Sequence, residues 1–133
     1  MTKLNGSCLC GAVKYEIEGE AKAFYLCHCS RCRKFSGTAH AANLFVKVKA
    51  LHWLSGEQSI KHFAVTGTRF AKNFCSTCAS PVPYVNAEGH ATIPAGGLDC
   101  ASPLVPMAHI YCRSRADWDD GFVDIPKRAE FES

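Results

Sequence analysis

Gly6-Ser7-Cys8-Leu9-Cys10-Gly11-Ala12-Val13-Lys14-Tyr15-Glu16-Ile17-Glu18 holds both halves of the reading, a close pair of cysteines and the strand that runs out of it. Val13, Tyr15 and Ile17 alternate with polar residues at the two-residue period of a half-buried strand. Residues 6–11 read as turn, strand and turn, so Cys8 and Cys10 are expected on one face, because successive side chains on a strand alternate. Two sulfurs about 2.3 Å from one zinc can be supplied that way with little distortion.

Outward from this stretch the chain reads as many short strands. Residues 23–27 form a second extended run, and residues 30–37 predict one helical turn with Ser30 as N-cap and Gly37 as closing residue. Residues 41–47 and 50–54 look extended and lead into the turn Ser55-Gly56-Glu57. Residues 59–65 and 68–74 flank Thr66-Gly67, a hairpin signal. Shorter runs follow at 82–85, 91–94 and 108–111, and Pro81, Pro83, Pro94, Pro103 and Pro106 exclude a long helix there. With no repeat, low-complexity tract or linker, residues 1–133 are expected to form a single zinc-binding domain, mainly β with minimal helix.

The composition bounds the rest. A chain of 133 residues buries a modest core. Its hydrophobic fraction of 47% with 20% charged residues excludes disorder. No apolar run approaches the ~20 residues of a membrane-spanning helix. The first six residues carry no hydrophobic signal region, so the expected location is cytoplasmic and no membrane partner is expected.

Nine cysteines are the outlier. The number is odd, and seven fall into tight groups, which favours metal over disulfides. The formal charge is +3 with neutral thiols. A four-thiolate zinc contributes −2 and a three-thiolate zinc −1, so the holo-protein is near neutral. Nucleic acid is therefore not an expected partner.

Cys75-Ser76-Thr77-Cys78 is a knuckle, a tight turn that brings two sulfurs to one side. Pairing it with Cys8/Cys10 gives a closed four-sulfur site across a 65-residue gap. Closing that loop costs about 4 kcal/mol plus a constant. Structural zinc contributes about 10–16 kcal/mol in small peptides, so the metal wins. Cys27-His28-Cys29-Ser30-Arg31-Cys32 supplies three sulfurs within six residues, and His28, between two ligands, should face away. Three ligands and an open fourth corner are the arrangement of catalytic zinc. Spacing leaves two alternatives open: Cys100, Cys112 or a distant histidine closes that corner, or Cys29/Cys32 pairs with Cys75/Cys78 as a zinc ribbon.

These same motifs, followed by His109-Ile110-Tyr111 and Ala116-Asp117-Trp118, give the chain a family likeness from about residue 5 to residue 120. It resembles the glutathione-dependent formaldehyde-activating enzymes, also described as centromere-protein-V-like. The resemblance implies a β-tent of short antiparallel strands organised around zinc. It implies a structural zinc at Cys8, Cys10, Cys75 and Cys78, and a catalytic zinc at Cys27, Cys29 and Cys32. It further implies glutathione as co-substrate and a carbon–sulfur lyase-type reaction that joins glutathione to formaldehyde as S-hydroxymethylglutathione. Small-molecule thiol and aldehyde are then the partners. One departure is Ala79-Ser80, where the family usually has glycine after the second knuckle cysteine.

Arg31, Arg33 and Lys34 lie beside the triplet and are the expected contacts for glutathione carboxylates, since arginine matches carboxylate geometry. Arg69 and Lys72 are weaker candidates. His40, His52, His62 and His90 read as surface or core residues, Trp53, Trp118 and Phe122 as core or rim, and Cys100 and Cys112 as free thiols. The competing class is a non-catalytic zinc module that binds a protein or a small-molecule thiol.

Overall fold

The alternation at Val13, Tyr15 and Ile17 does become a buried face, within a strand far longer than the sequence suggests. In the computed structural model, which describes residues 1–131, nine strands and one helix follow one another along the chain. They are β1 (Thr2–Ser7), β2 (Lys14–Cys27), α1 (Ser30–Ser36), β3 (Ala41–Ser55), β4 (Ile60–Ala64), β5 (Ala71–Cys75), β6 (Pro81–Val82), β7 (Tyr84–Val85), β8 (His90–Pro94) and β9 (Ala108–Ile110). Among the described residues no helix is long and apolar enough to cross a membrane.

The large sheet runs β1-β2-β3-β8-β7, all antiparallel, and β9 adds a parallel pairing to the end of β2. The small sheet is β4-β5-β6. The fold is thus mainly β, as the sequence indicates, but its backbone is two long strands. Residues 12–18 and 23–27 merge into β2, and 41–47 and 50–54 merge into β3. The joins are register shifts opposite β3 at Glu18/Gly19 and Ala21/Ala23, which bend the strands without ending them. Gly19 is required at the bend, because a Cβ there would sit 2.3 Å from the Lys47 carbonyl oxygen.

Local chemistry corrects three further details. Cys8 and Cys10 lie in a turn after β1, held by Gly11 N–H to Cys8 O at 3.1 Å and Cys8 N–H to Val13 O at 3.0 Å. The expected hairpin forms between β4 and β5, but its connection spans 65–70, closed by Val65 N–H to Phe70 O. The run 82–85 divides at Pro83 into β6 and β7, which belong to different sheets; proline cannot donate to a ladder, so the handover falls there.

Leu4, Tyr15, Ile17, Phe24, Leu44, Val46, Ala91 and Ile93 form the main core on one face of the large sheet. Two smaller clusters are built around cysteines: Cys8, Val13, Cys75 and Val82 in one, and Cys27, Cys32 and Ala41 in the other. Leu44 is fully buried between β2 and β8 neighbours. Leu44→Ala is expected to lower stability by about 2–5 kcal/mol, read as a fall in urea midpoint at unchanged slope.

Candidate metal centres and the cleft beside them

The first centre is assembled by two turns. Cys8 and Cys10 come from the turn after β1, Cys75 ends β5, and Cys78 lies in the knuckle that follows. The four sulfurs lie within 4.8 Å of one another. Cys8 Sγ and Cys10 Sγ are 3.6 Å apart, and Cys10 Sγ and Cys75 Sγ are 3.8 Å apart. A tetrahedron with zinc–sulfur bonds of about 2.3 Å has edges of about 3.8 Å, so the donors fit zinc. Backbone N–H groups already point at the sulfurs, from Val13 to Cys8 at 3.2 Å and from Thr77 to Cys75 at 3.4 Å.

The thiols there behave as a set that needs a cation. The Ser80 hydroxyl, then the Cys10 and Ser80 N–H groups, hold the Cys78 thiol down to about 5. The Ala12 N–H favours a thiolate at Cys10, yet Cys8, burial and Cys78 together push that thiol up to about 11. One thiol ionises and its neighbour resists, which a divalent ion resolves. Ala79 adopts the left-handed backbone (φ 64) that glycine usually takes, and its N–H still closes the knuckle on Cys75 O at 2.8 Å. The departure from the family pattern leaves the turn intact, at a conformational cost of about 1–2 kcal/mol.

The second set is built at the junction of β2 and α1. Cys27 ends β2, Cys29 precedes the helix, and Cys32 lies inside its first turn; the three sulfurs are within 4.8 Å of one another. The N-cap is Cys29 where the sequence suggests Ser30: its sulfur accepts the Cys32 N–H at 3.3 Å. Gly37 closes the helix in the left-handed conformation, as expected. Burial, then hydrogen bonds with Cys27 and Cys29 and last the charge of those two, pushes the Cys32 thiol up. Burial also resists ionisation at Cys29, but N–H groups of the turn outweigh it and its thiol is lowered.

Among the described residues no fourth cysteine, histidine, aspartate or glutamate joins this triplet, and the two sets remain separate groups. Cys100 lies beside Asn5, where its sulfur is 3.5 Å from the backbone nitrogen, and Cys112 is exposed on a short turn. His28 turns away from the sulfurs. Its Nε2 is 2.8 Å from His109 Nδ1, and its Nδ1 is 2.9 Å from Asp119 Oδ2 but outside hydrogen-bond alignment. Burial holds this imidazole below its usual pKa, with Asp119 pulling the other way.

Cys32 of the triplet and Cys8 of the four-sulfur set both line a cleft of about 600 Å³, within the size range of small-ligand sites. Phe35, His40, Asn43, Lys72 and Asp99 line it as well. Arg31 and Lys34 are exposed, Arg33 is tied to the Ser114 carbonyl at 3.1 Å, and none of the three lines the cleft. The cation that does is Lys72. Burial lowers its pKa, and Cys32, Cys27 and Cys29, in that order, raise it. Sequence reading ranks this lysine low because a strand lysine normally faces water. Its signal is register: Lys72 lies an odd number of positions from Cys75 and so faces the opposite side of β5.

Comparison with known proteins agrees with this architecture. The fold is similar to the crystal structure of a Rhodobacter sphaeroides protein from a structural-genomics programme, with a TM-score of 0.64 and 20% identity, over 80% of this chain and 99% of that one. Among curated proteins no sequence matches. The family described as glutathione-dependent formaldehyde-activating enzyme matches residues 3–114, a stretch that contains both cysteine sets and every residue lining the cleft. With so much of its length matched, the chain belongs to the glutathione-dependent formaldehyde-activating enzyme family.

Proposed function

We infer that the protein is a single zinc-binding domain carrying two zinc ions, a structural one at Cys8, Cys10, Cys75 and Cys78 and a catalytic one at Cys27, Cys29 and Cys32. It joins glutathione to formaldehyde as S-hydroxymethylglutathione, a reaction of the carbon–sulfur lyase type written in the direction of addition. The observation that carries this reading is the triplet itself: three clustered sulfurs with no fourth protein ligand among the described residues, one of them, Cys32, lining a cleft.

Zinc held by three thiolates would keep an added sulfur ionised at neutral pH yet electron-rich, which favours thiol delivery over carbonyl activation. The protein's own groups prepare the rest. The Cys29 cap and the α1 turn fix the spacing of the sulfurs. Phe35, packed edge-on to Phe70 and Phe74, makes the floor beside Cys32 apolar, which strengthens charge interactions by excluding water. Formaldehyde is small enough to need no dedicated pocket, so the cleft's volume is available to the thiol. Grouped cysteines at metal-binding distance suit a reducing, cytoplasmic setting.

The test follows the interconversion of ¹³C-formaldehyde and its glutathione adduct by exchange NMR. Zinc-loaded protein is expected to speed the interconversion in proportion to its concentration. A rate equal to the spontaneous one, with glutathione still bound, would instead identify a thiol-binding module.

A further inference from the structure

Lys72 is 6% exposed, yet among the described residues no carboxylate lies within ion-pair distance of it. Its Nζ lies 5.4 Å from the centre of the Phe35 ring, and its side chain lines the same cleft as Cys32. A buried ammonium without an anion is costly. Lys72, Phe35 and Cys32 thus face one cleft, where a buried cation without an ion-pair partner would meet an anion formed beside the triplet.

Resting on the function inferred above, we propose that Lys72 is a catalytic residue whose ammonium holds the oxyanion that develops as the thiol adds to the aldehyde. In that addition a sulfur lone pair forms the S–C bond and the carbonyl π pair moves onto oxygen. The proton that the thiol gave up to water returns to that oxygen. Lys72 contributes a hydrogen bond while the charge is there, in an apolar setting where such a bond is strong. The new oxygen is two bonds from the reacting sulfur, whereas the carboxylates of glutathione are several bonds farther off. A cation that shares the cleft with Cys32 suits the nearer anion. A purely structural lysine would serve only to offset the anionic metal site, and the two roles part in experiment.

Two ligands without formaldehyde give a reading free of turnover. Mercaptoacetate carries an anionic oxygen close to its sulfur, and 2-mercaptoethanol a neutral one. Corrected for thiolate fraction, zinc-loaded wild-type protein is expected to bind mercaptoacetate about tenfold more tightly. Lys72→Met is expected to bind both alike and to keep wild-type zinc content. In turnover its KM for glutathione should stay within about twofold while kcat falls about a hundredfold, and Lys72→Arg should recover part of the loss. An unchanged preference in Lys72→Met, activity lost only in step with zinc, or a raised KM at intact kcat would each overturn the proposal. So would wild-type protein that accelerates the addition without preferring mercaptoacetate, a readout that stands even if Lys72→Met does not fold. Wild-type protein that binds neither thiol would overturn the functional reading itself.

Discussion

Cys75→Ala is expected to yield a chain that no longer folds cooperatively at 37 °C. Cys75 is 1% exposed and ends β5, and its sulfur belongs to the four-sulfur set that ties the turn after β1 to the small sheet. Beyond that tie the small sheet is held by Phe74 against Phe35 of α1 and by a small core. It has three strands, β4 is largely exposed, and the cluster beneath it consists of Cys8, Val13, Cys75 and Val82. A structural zinc contributes about 10–16 kcal/mol, comparable to the whole stability of a domain this size, about 5–15 kcal/mol. Cys75 is the ligand that joins β5 to the turn after β1, so its loss opens the closed tetrahedron and removes the tie through which the ion stabilises the fold. Circular dichroism against urea, with zinc counted on the same sample, checks this. A wild-type midpoint in Cys75→Ala would show that the large sheet alone carries the fold.

The parts of this architecture that sequence makes legible are those with local causes. The alternation of Val13, Tyr15 and Ile17, the left-handed stop at Gly37 and the sulfur spacings all act within a few residues. What sequence obscures is set from a distance. Gly19 looks like a strand end because nothing nearby tells of the Lys47 carbonyl that requires it. The extended run at 108–111 is legible, but its parallel partner, Tyr25, Leu26 and Cys27 at the end of β2, is not. Cys8 and Cys10 share a side through a turn stabilised by Val13, where strand geometry gives the same outcome for a different reason. The charged side chains show the same limit. Arg31, Arg33 and Lys34 are neighbours of the triplet in sequence, whereas Lys72, forty residues beyond Cys32, is the cation that lines the same cleft.

The second large effect is the converse of the first. Cys29→Ala removes one sulfur of the triplet and the cap of a seven-residue helix, while the main core and the four-sulfur set are untouched. Loss of a cap costs about 0.5–2 kcal/mol, which a domain tolerates. The variant is therefore expected to fold, to lose one of two zinc ions, and to add glutathione to formaldehyde no faster than the spontaneous reaction. Unfolding of this variant along with loss of both ions would instead make the triplet a second structural site.

Behind both predictions stands the claim that the triplet leaves room for a sulfur from outside the chain. Cobalt substituted for zinc reports its ligands through its visible spectrum, so titration of the cobalt protein with glutathione tests that claim most directly. The spectrum of one site should change and saturate near one equivalent, the other should stay constant, and Cys29→Ala should show no response. Two spectra that both ignore glutathione would mean that the protein itself fills every coordination position.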